Sequence, residues 1–261
     1  MRAEDFALMT EVSRPLVAPP YGAPGEVEVR IAQHAAQFIP DGATLEFGLG
    51  SLPDAILAVL ADRRDLGIHS GLICDGVARL AQRGVITNAR KSIDRGVTVC
   101  GVLMGTGVLF DFAGGNPLVQ LRSCEYTHHP AVLSRIERFV AINSAVEVDL
   151  TGQVNAEVAG GSYVGAIGGQ LDFVRAANLS PGGVSLICLP ASAGSKASRI
   201  VGRLSGPVAT PRSEAGVFVT EWGAADLRGQ PLSKRASRMI AIAHPDFRES
   251  LERAAHEQGL L

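Results

Sequence analysis

The pattern of apolar and polar positions divides the chain into helices and strands that follow one another. After a proline-rich stretch, apolar residues recur at helical spacing from Val27 to Phe38, which predicts a helix over 26–38. Short runs rich in Val, Ile, Leu and Phe predict buried strands. The predicted strands are 43–47, 97–103, 139–142, 146–150, 184–189 and 216–220, and the other main helices are 53–61, 77–83, 232–243 and 244–255.

Strands that alternate with helices are typical of an α/β fold, so we predict an open, mainly parallel sheet flanked by helices. Residues 1–25 are expected to form an extended lead-in because their prolines interrupt helix and sheet. Residues 26–261 are expected to form one domain. Two local features are also predicted: a hairpin turn at Thr151-Gly152-Gln153, and a capping box made by Ser51 and Asp54.

Composition narrows the possible functions. The net charge is −2 without a long run of one sign, which predicts neither nucleic-acid nor membrane partners. The four cysteines are far apart and form no CxxC pair, which favours a reducing compartment. No apolar run approaches the ~18 residues of a membrane span, and the first residues lack a signal-peptide pattern. We therefore expect a cytoplasmic protein.

Two glycine-rich stretches are candidates for ligand binding. Gly48 and Gly50 lie between a predicted strand and a predicted helix, where backbone amides favour anions. Gly168 and Gly169 belong to a second run, 165–173, whose amides are candidates for an oxyanion hole or for holding a thioester carbonyl. For each stretch a purely structural turn remains the alternative.

Two charged stretches follow. Lys196 and Arg199 come after the strand 184–189 and suit contact with a phosphate, although a solvated loop explains them equally well. The stretch 220–229 contains Glu221, Asp226 and Arg228, for which a structural ion pair competes with a catalytic carboxylate.

Histidine and serine give no independent catalytic signal. His128 and His129 are adjacent on what is interpreted as an extended segment, so their side chains should diverge, and no metal site is expected. His69 is interpreted as a hydrogen-bonded structural residue. The Gly-x-Ser-x-Gly pattern of serine hydrolases is absent.

Taken in order from about residue 11 to 253, several short segments resemble the C-terminal domain of acetyl-CoA hydrolase/transferase enzymes, a family that includes acetate and 4-hydroxybutyrate CoA-transferases. Each segment is weak by itself, whereas the ordered set is specific. The segments are Ile39–Leu45, Gly48–Ala55, Leu66–Ser70, Asp75-Gly76, Gly84–Thr87, Ala141–Ser144, Glu147–Val154, Gly168–Phe173, Ser198–Val201, Asp226–Gly229 and His244–Arg248.

This resemblance implies chemistry on a coenzyme A thioester. Enzymes of this family attack the acyl-CoA with a glutamate that follows a His-Ser pair, giving an anhydride and then a glutamyl-CoA thioester. Here the pair is His69-Ser70, and Gly71 stands at the position of the nucleophile. Glycine cannot form the anhydride. Glu46 or Glu221 are alternatives for the missing carboxylate, and Cys74 is an alternative nucleophile.

The resemblance also implies roles for other residues. Asn143 and the amides of Gly168 and Gly169 would meet the thioester, the loop with Lys196 and Arg199 would lie near coenzyme A, and Gly48 and Gly50 would shape the mouth of the site. In this family the site lies between two domains of similar architecture, and only the C-terminal one matches here. A second subunit that resembles the N-terminal domain, or a second copy of this chain, is therefore expected.

Three functions remain open at this point. The chain is an acyl-CoA-processing enzyme subunit, in which water replaces the carboxylate and hydrolysis is favoured over transfer to a small carboxylate. Alternatively, it is a catalytically inactive CoA-binding or regulatory subunit of a partner CoA-transferase. The third alternative is a structural protein without a ligand.

Overall fold

The computed structural model describes residues 3–14, 16–18, 22–48, 50–194 and 197–261. A single 3-10 turn, Ala3–Asp5, precedes the first helix among the described residues. The helices are α1 (Glu26–Ala36), α2 (Ser51–Val59), α3 (Asp75–Gln82), α4 (Gly107–Ala113), α5 (Cys124–Thr127), α6 (Pro130–Leu133), α7 (Gln170–Leu179), α8 (Leu232–Ala241) and α9 (Pro245–Glu257). The strands are β1 (Thr44–Phe47), β2 (Gly67–Ile73), β3 (Thr98–Leu103), β4 (Val119–Leu121), β5 (Phe139–Ser144), β6 (Glu147–Asp149), β7 (Val154–Asn155), β8 (Val158–Ala159), β9 (Ser162–Tyr163), β10 (Val184–Cys188), β11 (Ser192–Ala193), β12 (Ala197–Ser198), β13 (Ile200–Val201), β14 (Val217–Thr220) and β15 (Gly223–Asp226).

Within the described residues, eight strands form the main sheet in the order β15-β14-β10-β5-β1-β2-β3-β4. Every neighbouring pair is parallel except β14 and β15, which form an antiparallel hairpin at one edge. The predicted open, mainly parallel α/β sheet is therefore confirmed. The division at residue 25 stays a prediction.

The sheet is covered on both faces because successive side chains of a strand point to opposite sides. In β5, Val140 and Ile142 belong to the core shared with α1 and α2. Phe139 and Ala141 face the other layer, where they pack with residues of α7. Burial on both faces explains why β5 is almost continuously apolar.

The order of the strands determines where a ligand site is expected. From β1 the chain runs outward through β2, β3 and β4, and then returns to place β5 on the other side of β1. The crossover connections after β1 and β5 therefore lead away in opposite directions. Such a switch point leaves a crevice at the carboxyl ends of the strands, where open α/β sheets bind ligands.

Most predicted elements are present with ends shifted by one to three residues, and the hairpin turn at 151–153 joins β6 to β7 as predicted. The capping box is wrong. Ser51 already begins α2, whose N-cap is Gly50 with φ 122° and without a side-chain cap. The Asp54 carboxylate instead accepts a hydrogen bond from the Cys74 thiol at 3.2 Å.

None of the helices in the described part of the chain combines the length and the apolar character needed to cross a membrane.

Candidate active site at the carboxyl edge of the sheet

A cavity of about 320 Å³ opens at the carboxyl ends of the central strands. We call it the edge cavity. Its walls come from β1, β2, β3 and β5 and from the beginning of α7. The lining residues are Glu46, Phe47, Gly48, Gly71, Leu72, Val102, Met104, His128, Asn143, Gly169, Gln170 and Phe173.

Three adjacent strands each contribute one functional residue to this cavity. Glu46 lies near the end of the central strand β1, between Asn143 of β5 and Gly71 of β2. The Asn143 side-chain amide donates to Glu46 Oε2 at 3.0 Å. Glu46 is only 2% exposed. Burial raises its pKa to about 8, although the hydrogen bond from Asn143 favours the ionised form. Glu46 is therefore mostly protonated at pH 7.

The ring of His128 occupies the space beside Gly71. A Cβ atom added at Gly71 would lie 3.0 Å from His128 Nε2 and 3.1 Å from His128 Cε1. A Cβ added at Gly169 would overlap the same ring. The imidazole packs against Phe173 with 4.6 Å between the ring centroids. Two glycines thus make room for His128 inside the edge cavity.

His128 is held from its other side by the short helix α5. Its Nδ1 atom lies 2.9 Å from Thr127 Oγ1, and that hydroxyl donates to the carbonyl oxygen of Ser123 at 3.3 Å. Burial lowers the pKa of His128, and the negative charge of Asp172 opposes this shift. The sequence-based interpretation of 128–129 as an extended segment is wrong, since His128 ends α5 and His129 precedes α6.

The other predicted site residues are distributed more widely. Gly48 lines the edge cavity, and Gly168 is exposed beside Gly169 at the start of α7. Gly50 caps α2. Arg199 lines a separate cavity of about 180 Å³, where its Nη1 donates to the carbonyl oxygen of Val146 at 3.1 Å. Lys196 lies outside the described residues.

The alternative nucleophiles differ in position. Glu221 does not line the edge cavity, and its carboxylate accepts the backbone N–H of Ala191 at 2.8 Å. Burial raises the pKa of the Cys74 thiol to about 12, with Asp54 adding to the shift, so Cys74 stays protonated. Of these groups, Glu46 alone shares the cavity with Gly71.

The predicted structural pair in the stretch 220–229 is present, since Arg228 Nη2 lies 2.7 Å from Asp226 Oδ2. Among the described residues, no three His, Cys, Asp or Glu side chains are grouped so that they could hold a metal ion.

His69 belongs to a second polar group below the cavity, which we call the buried polar cluster: His69, Lys91, Asp94, Arg122 and Tyr126. His69 is fully buried and stacks on Tyr126 at 5.7 Å between centroids. Neither ring nitrogen has a partner at ordinary hydrogen-bond distance and angle in the described structure. The backbone of Tyr126 nevertheless acts on the ring as a hydrogen-bonding group and opposes the lowering of its pKa, so the expected hydrogen bond stays a prediction. Burial, with a contribution from Lys91, lowers the pKa of His69 to about 4.

The rest of this cluster is paired internally. Arg122 Nη1 lies 3.0 Å from Asp94 Oδ1, and the Tyr126 hydroxyl donates to Asp94 Oδ2 at 2.7 Å. Lys91 Nζ donates to the carbonyl oxygens of Ile68 and Val97 at 2.8 and 2.7 Å.

Sequence reasoning brought Gly48, Gly71, Asn143 and Gly169 together as candidates, and all of them line one cavity. Their roles remain predictions. It missed His128 as a cavity residue because its position depends on α5 folding back over β2, for which the sequence carries no local signal.

Comparison with known proteins gives a consistent result. A family model described as "Acetyl-CoA hydrolase/transferase C-terminal domain" matches residues 105–255. The 4-hydroxybutyrate coenzyme A transferase of Clostridium kluyveri is 44% identical over 96% of this chain and 59% of its own length. The crystal structure of RipA from Yersinia pestis superposes with a TM-score of 0.91 at 40% identity, covering 95% of this chain and 57% of RipA. The 4-hydroxybutyrate CoA-transferase of Porphyromonas gingivalis superposes with a TM-score of 0.84 at 38% identity, covering 95% and 59% of the two chains.

The chain spans little more than half the length of these relatives. The segment matched by the family model, 105–255, contains five of the eight strands of the main sheet, namely β4, β5, β10, β14 and β15. The protein therefore belongs to the acetyl-CoA hydrolase/transferase family and corresponds to its C-terminal domain.

Proposed function

We propose that the chain binds an acyl-CoA thioester at the edge cavity and forms half of an active site. The observation that carries this proposal is the convergence of Gly71, Asn143 and Gly169 at the switch point of the sheet. At about 320 Å³ the cavity suits the acyl end of the molecule rather than the whole coenzyme. In this arrangement Asn143 and the amides at 168–169 meet the thioester, and Gly48 and Gly50 shape the entrance.

The coenzyme itself needs a longer surface. Arg199, together with Lys196, is assigned to contact its phosphate groups, since a guanidinium and an ammonium suit phosphate oxygens. The separate cavity beside Arg199 agrees with an extended ligand whose acyl end lies in the edge cavity.

The chemistry assigned to this site is hydrolysis rather than transfer to a small carboxylate. Gly71 supplies no carboxylate where the family resemblance implies a nucleophile. Glu46 shares the cavity but keeps its proton at pH 7, and a protonated carboxyl is a poor nucleophile. Water is then the available nucleophile, and the products are a free carboxylic acid and coenzyme A.

A second polypeptide unit is assigned to the open side of the cavity, either a subunit resembling an N-terminal CoA-transferase domain or a second copy of this chain. Two observations support it. Homologous proteins are nearly twice as long as the matched part. The segment that leads into Gly168 also exposes three large apolar side chains, Tyr163 at 75%, Val164 at 65% and Ile167 at 93%. Such a protein would act in the cytoplasm.

The second candidate function is a CoA-binding subunit without catalytic activity. The absence of a side chain at Gly71 supports this inactive subunit as well as it supports a hydrolytic one. A structural protein without a ligand is the third reading, and it predicts no binding of coenzyme A at all.

One experiment separates the three functions. The protein is purified from its own cells, so that a partner accompanies it, and tested beside the recombinant chain. Binding of acetyl-CoA is measured by calorimetry, and release of free coenzyme A is followed with and without acetate. Release that does not depend on acetate is expected. Binding without release would establish the inactive subunit, and absence of binding would contradict the proposed function.

A further inference from the structure

In the edge cavity, the imidazole of His128 lies beside Gly71, the position of the missing carboxylate. Of the His128 ring atoms, Nε2 lies closest to the site of a Gly71 side chain, 3.0 Å from where its Cβ would be. Both residues line the cavity. The first atom of a nucleophilic side chain would therefore touch the imidazole nitrogen.

The hydrogen bonds around His128 determine which nitrogen carries the proton. Thr127 has one hydroxyl hydrogen, and it is donated to the carbonyl oxygen of Ser123. With that hydrogen on the Ser123 carbonyl, the 2.9 Å contact is an Nδ1–H that donates to the hydroxyl oxygen, and we assign this tautomer to His128. In the neutral ring Nε2 then keeps its lone pair, and the Nε2–Cε1 edge of the ring lies beside Gly71.

Two further features affect the protonation state and the orientation of the His128 ring. Burial lowers the pKa of His128, so the ring is neutral at pH 7 and able to accept a proton. Its packing against Phe173 restrains the ring, and the lack of side chains at Gly71 and Gly169 leaves room for it.

We propose that His128 is the general base of a hydrolytic acyl-CoA site, activating a water molecule held between Nε2 and the thioester carbon above Gly71. This inference rests on the proposed function and specifies its chemistry. The family resemblance implies a covalent carboxylate, whereas here a neutral imidazole with a defined tautomer would deliver water.

The reaction balances without any further reactant. The water O–H bond breaks as its proton moves to Nε2, and the water oxygen bonds to the thioester carbon. The resulting oxyanion lies near the protonated Glu46 and the Asn143 amide, which are donors in the same cavity. Collapse of this intermediate breaks the C–S bond. The imidazolium returns its proton to the departing sulfur, so that a carboxylic acid and the thiol of coenzyme A leave.

The test compares two neighbouring histidines in the protein purified from its own cells. His128→Gln keeps a polar side chain of similar reach but removes the base. His129→Asn is the matched control, because His129 is exposed and its Nδ1 accepts the backbone N–H of Ala131, which an asparagine side chain can also do. Binding of acetyl-CoA, thermal unfolding and acetate-independent release of coenzyme A are measured for each.

For His128→Gln we expect unchanged unfolding, acetyl-CoA binding within about twofold of wild type, and release slower by about 10²–10⁴-fold, the usual contribution of a general base. His129→Asn should keep wild-type release. Equal release by the two variants would overturn the proposal.

A second variant excludes a purely structural effect. His128→Ala leaves a gap the size of the ring, and added imidazole should restore part of the release because it supplies the base in place. Loss of release that imidazole does not restore would contradict a catalytic role. Wild-type protein that binds acetyl-CoA but releases no coenzyme A would overturn the general base while leaving the binding function intact, and wild-type protein that fails to bind would overturn both.

Discussion

The edge cavity and the buried polar cluster lie on the same side of β2, and each contains a histidine with a lowered pKa. In the cluster, Asp94 pairs with Arg122 and Tyr126, and Lys91 is held by two carbonyl oxygens. Asp94, Arg122 and Tyr126 are thus paired with one another, and His69, whose ring nitrogens are unpaired, is fully buried. In the cavity, Gly71 provides no side-chain partner, and the His128 ring lines open space.

The difference teaches that a displaced pKa alone does not identify a functional residue. Burial shifts titrating groups in both regions, and desolvation acts in the same way on a structural and on a catalytic side chain. The functional assignment depends on access to a ligand and on a lone pair without an internal partner. Only the edge cavity provides both for a group that is able to accept a proton from water.

Among these variants, Glu46→Gln should change folding stability the most. It tests a residue of the edge cavity. Folding raises the pKa of Glu46 from its ordinary value of 4.5 to about 8, because burial disfavours the charged form. The folded state therefore holds the additional proton between these values, and wild-type stability should fall as pH rises through that window, by on the order of 4 kcal/mol. Glutamine does not titrate and can still accept from Asn143. Denaturant unfolding of both proteins from pH 5 to 9 checks this, and parallel curves would contradict a neutral Glu46.

His69→Phe tests the buried polar cluster. Here folding stability should fall as pH decreases, the opposite of the dependence expected for Glu46. The folded pKa of His69 is about 4, below the ordinary histidine value of 6.5, so on acidification the unfolded state binds the proton first. Stability is complete above pH 6.5 and should be lost on acidification toward pH 4, by about 2–3 kcal/mol. Phenylalanine keeps the ring stacked on Tyr126 and removes two unpaired nitrogens. Unfolding curves from pH 7 to 4 should flatten in the variant, while release of coenzyme A at pH 7 stays within twofold; a steep acid loss that persists would place its origin elsewhere.

Gly169→Ala affects the cavity alone. Its Cβ would lie 2.7 Å from His128 Nε2, closer than real contacts, whereas the backbone φ of −80° accepts alanine. The ring must move, and a displacement of about 1 Å costs on the order of 100-fold in rate. Gly107→Ala is the control, since nothing lies within 4 Å of its added Cβ. Steady-state release at saturating acetyl-CoA separates the two; equal rates would show that the position of His128 does not matter.

Asp94→Asn should give the smallest effect, and that effect should be on folding stability and not on the rate of coenzyme A release. Asn tolerates the positive φ of 49° at this position but no longer balances Arg122. A loss of about 2 kcal/mol is expected, less than for a fully buried pair because Arg122 is partly exposed. Asp65→Asn is matched, since Asp65 also has a positive φ and an arginine partner but lies at the surface. Denaturant midpoints report the difference, and a large change in the rate of release would contradict the separation of the two regions.

The fold was predictable from the sequence where apolar runs are continuous. β5 and β10 are buried on both faces and are therefore apolar throughout. β2 was missed because it contains His69, Ser70 and Gly71, whose residue types do not suggest a strand. Gly71 lies where this strand reaches the edge cavity, so the local signal fails at the proposed site.

The site was predictable only in part, for a similar reason. Asn143 and Gly169 were found as members of an ordered motif set, and Gly71 was found as the position where the chain departs from it, although they come from β5, the start of α7 and β2. His128 is not in any such motif. Its proposed role depends on the absence of side chains at two glycines distant in sequence and on the Thr127 hydroxyl beside its Nδ1.

The central claim is that water, and no carboxylate of this chain, attacks the thioester. The protein purified from its own cells is incubated with acetyl-CoA in water labelled with 18O, and the released acetate and the peptide that contains Glu46 are analysed by mass spectrometry. The account predicts a single 18O atom in each acetate, and neither label nor a coenzyme A adduct on Glu46. A coenzyme A thioester on Glu46, or 18O in its carboxylate, would contradict the account and restore covalent catalysis.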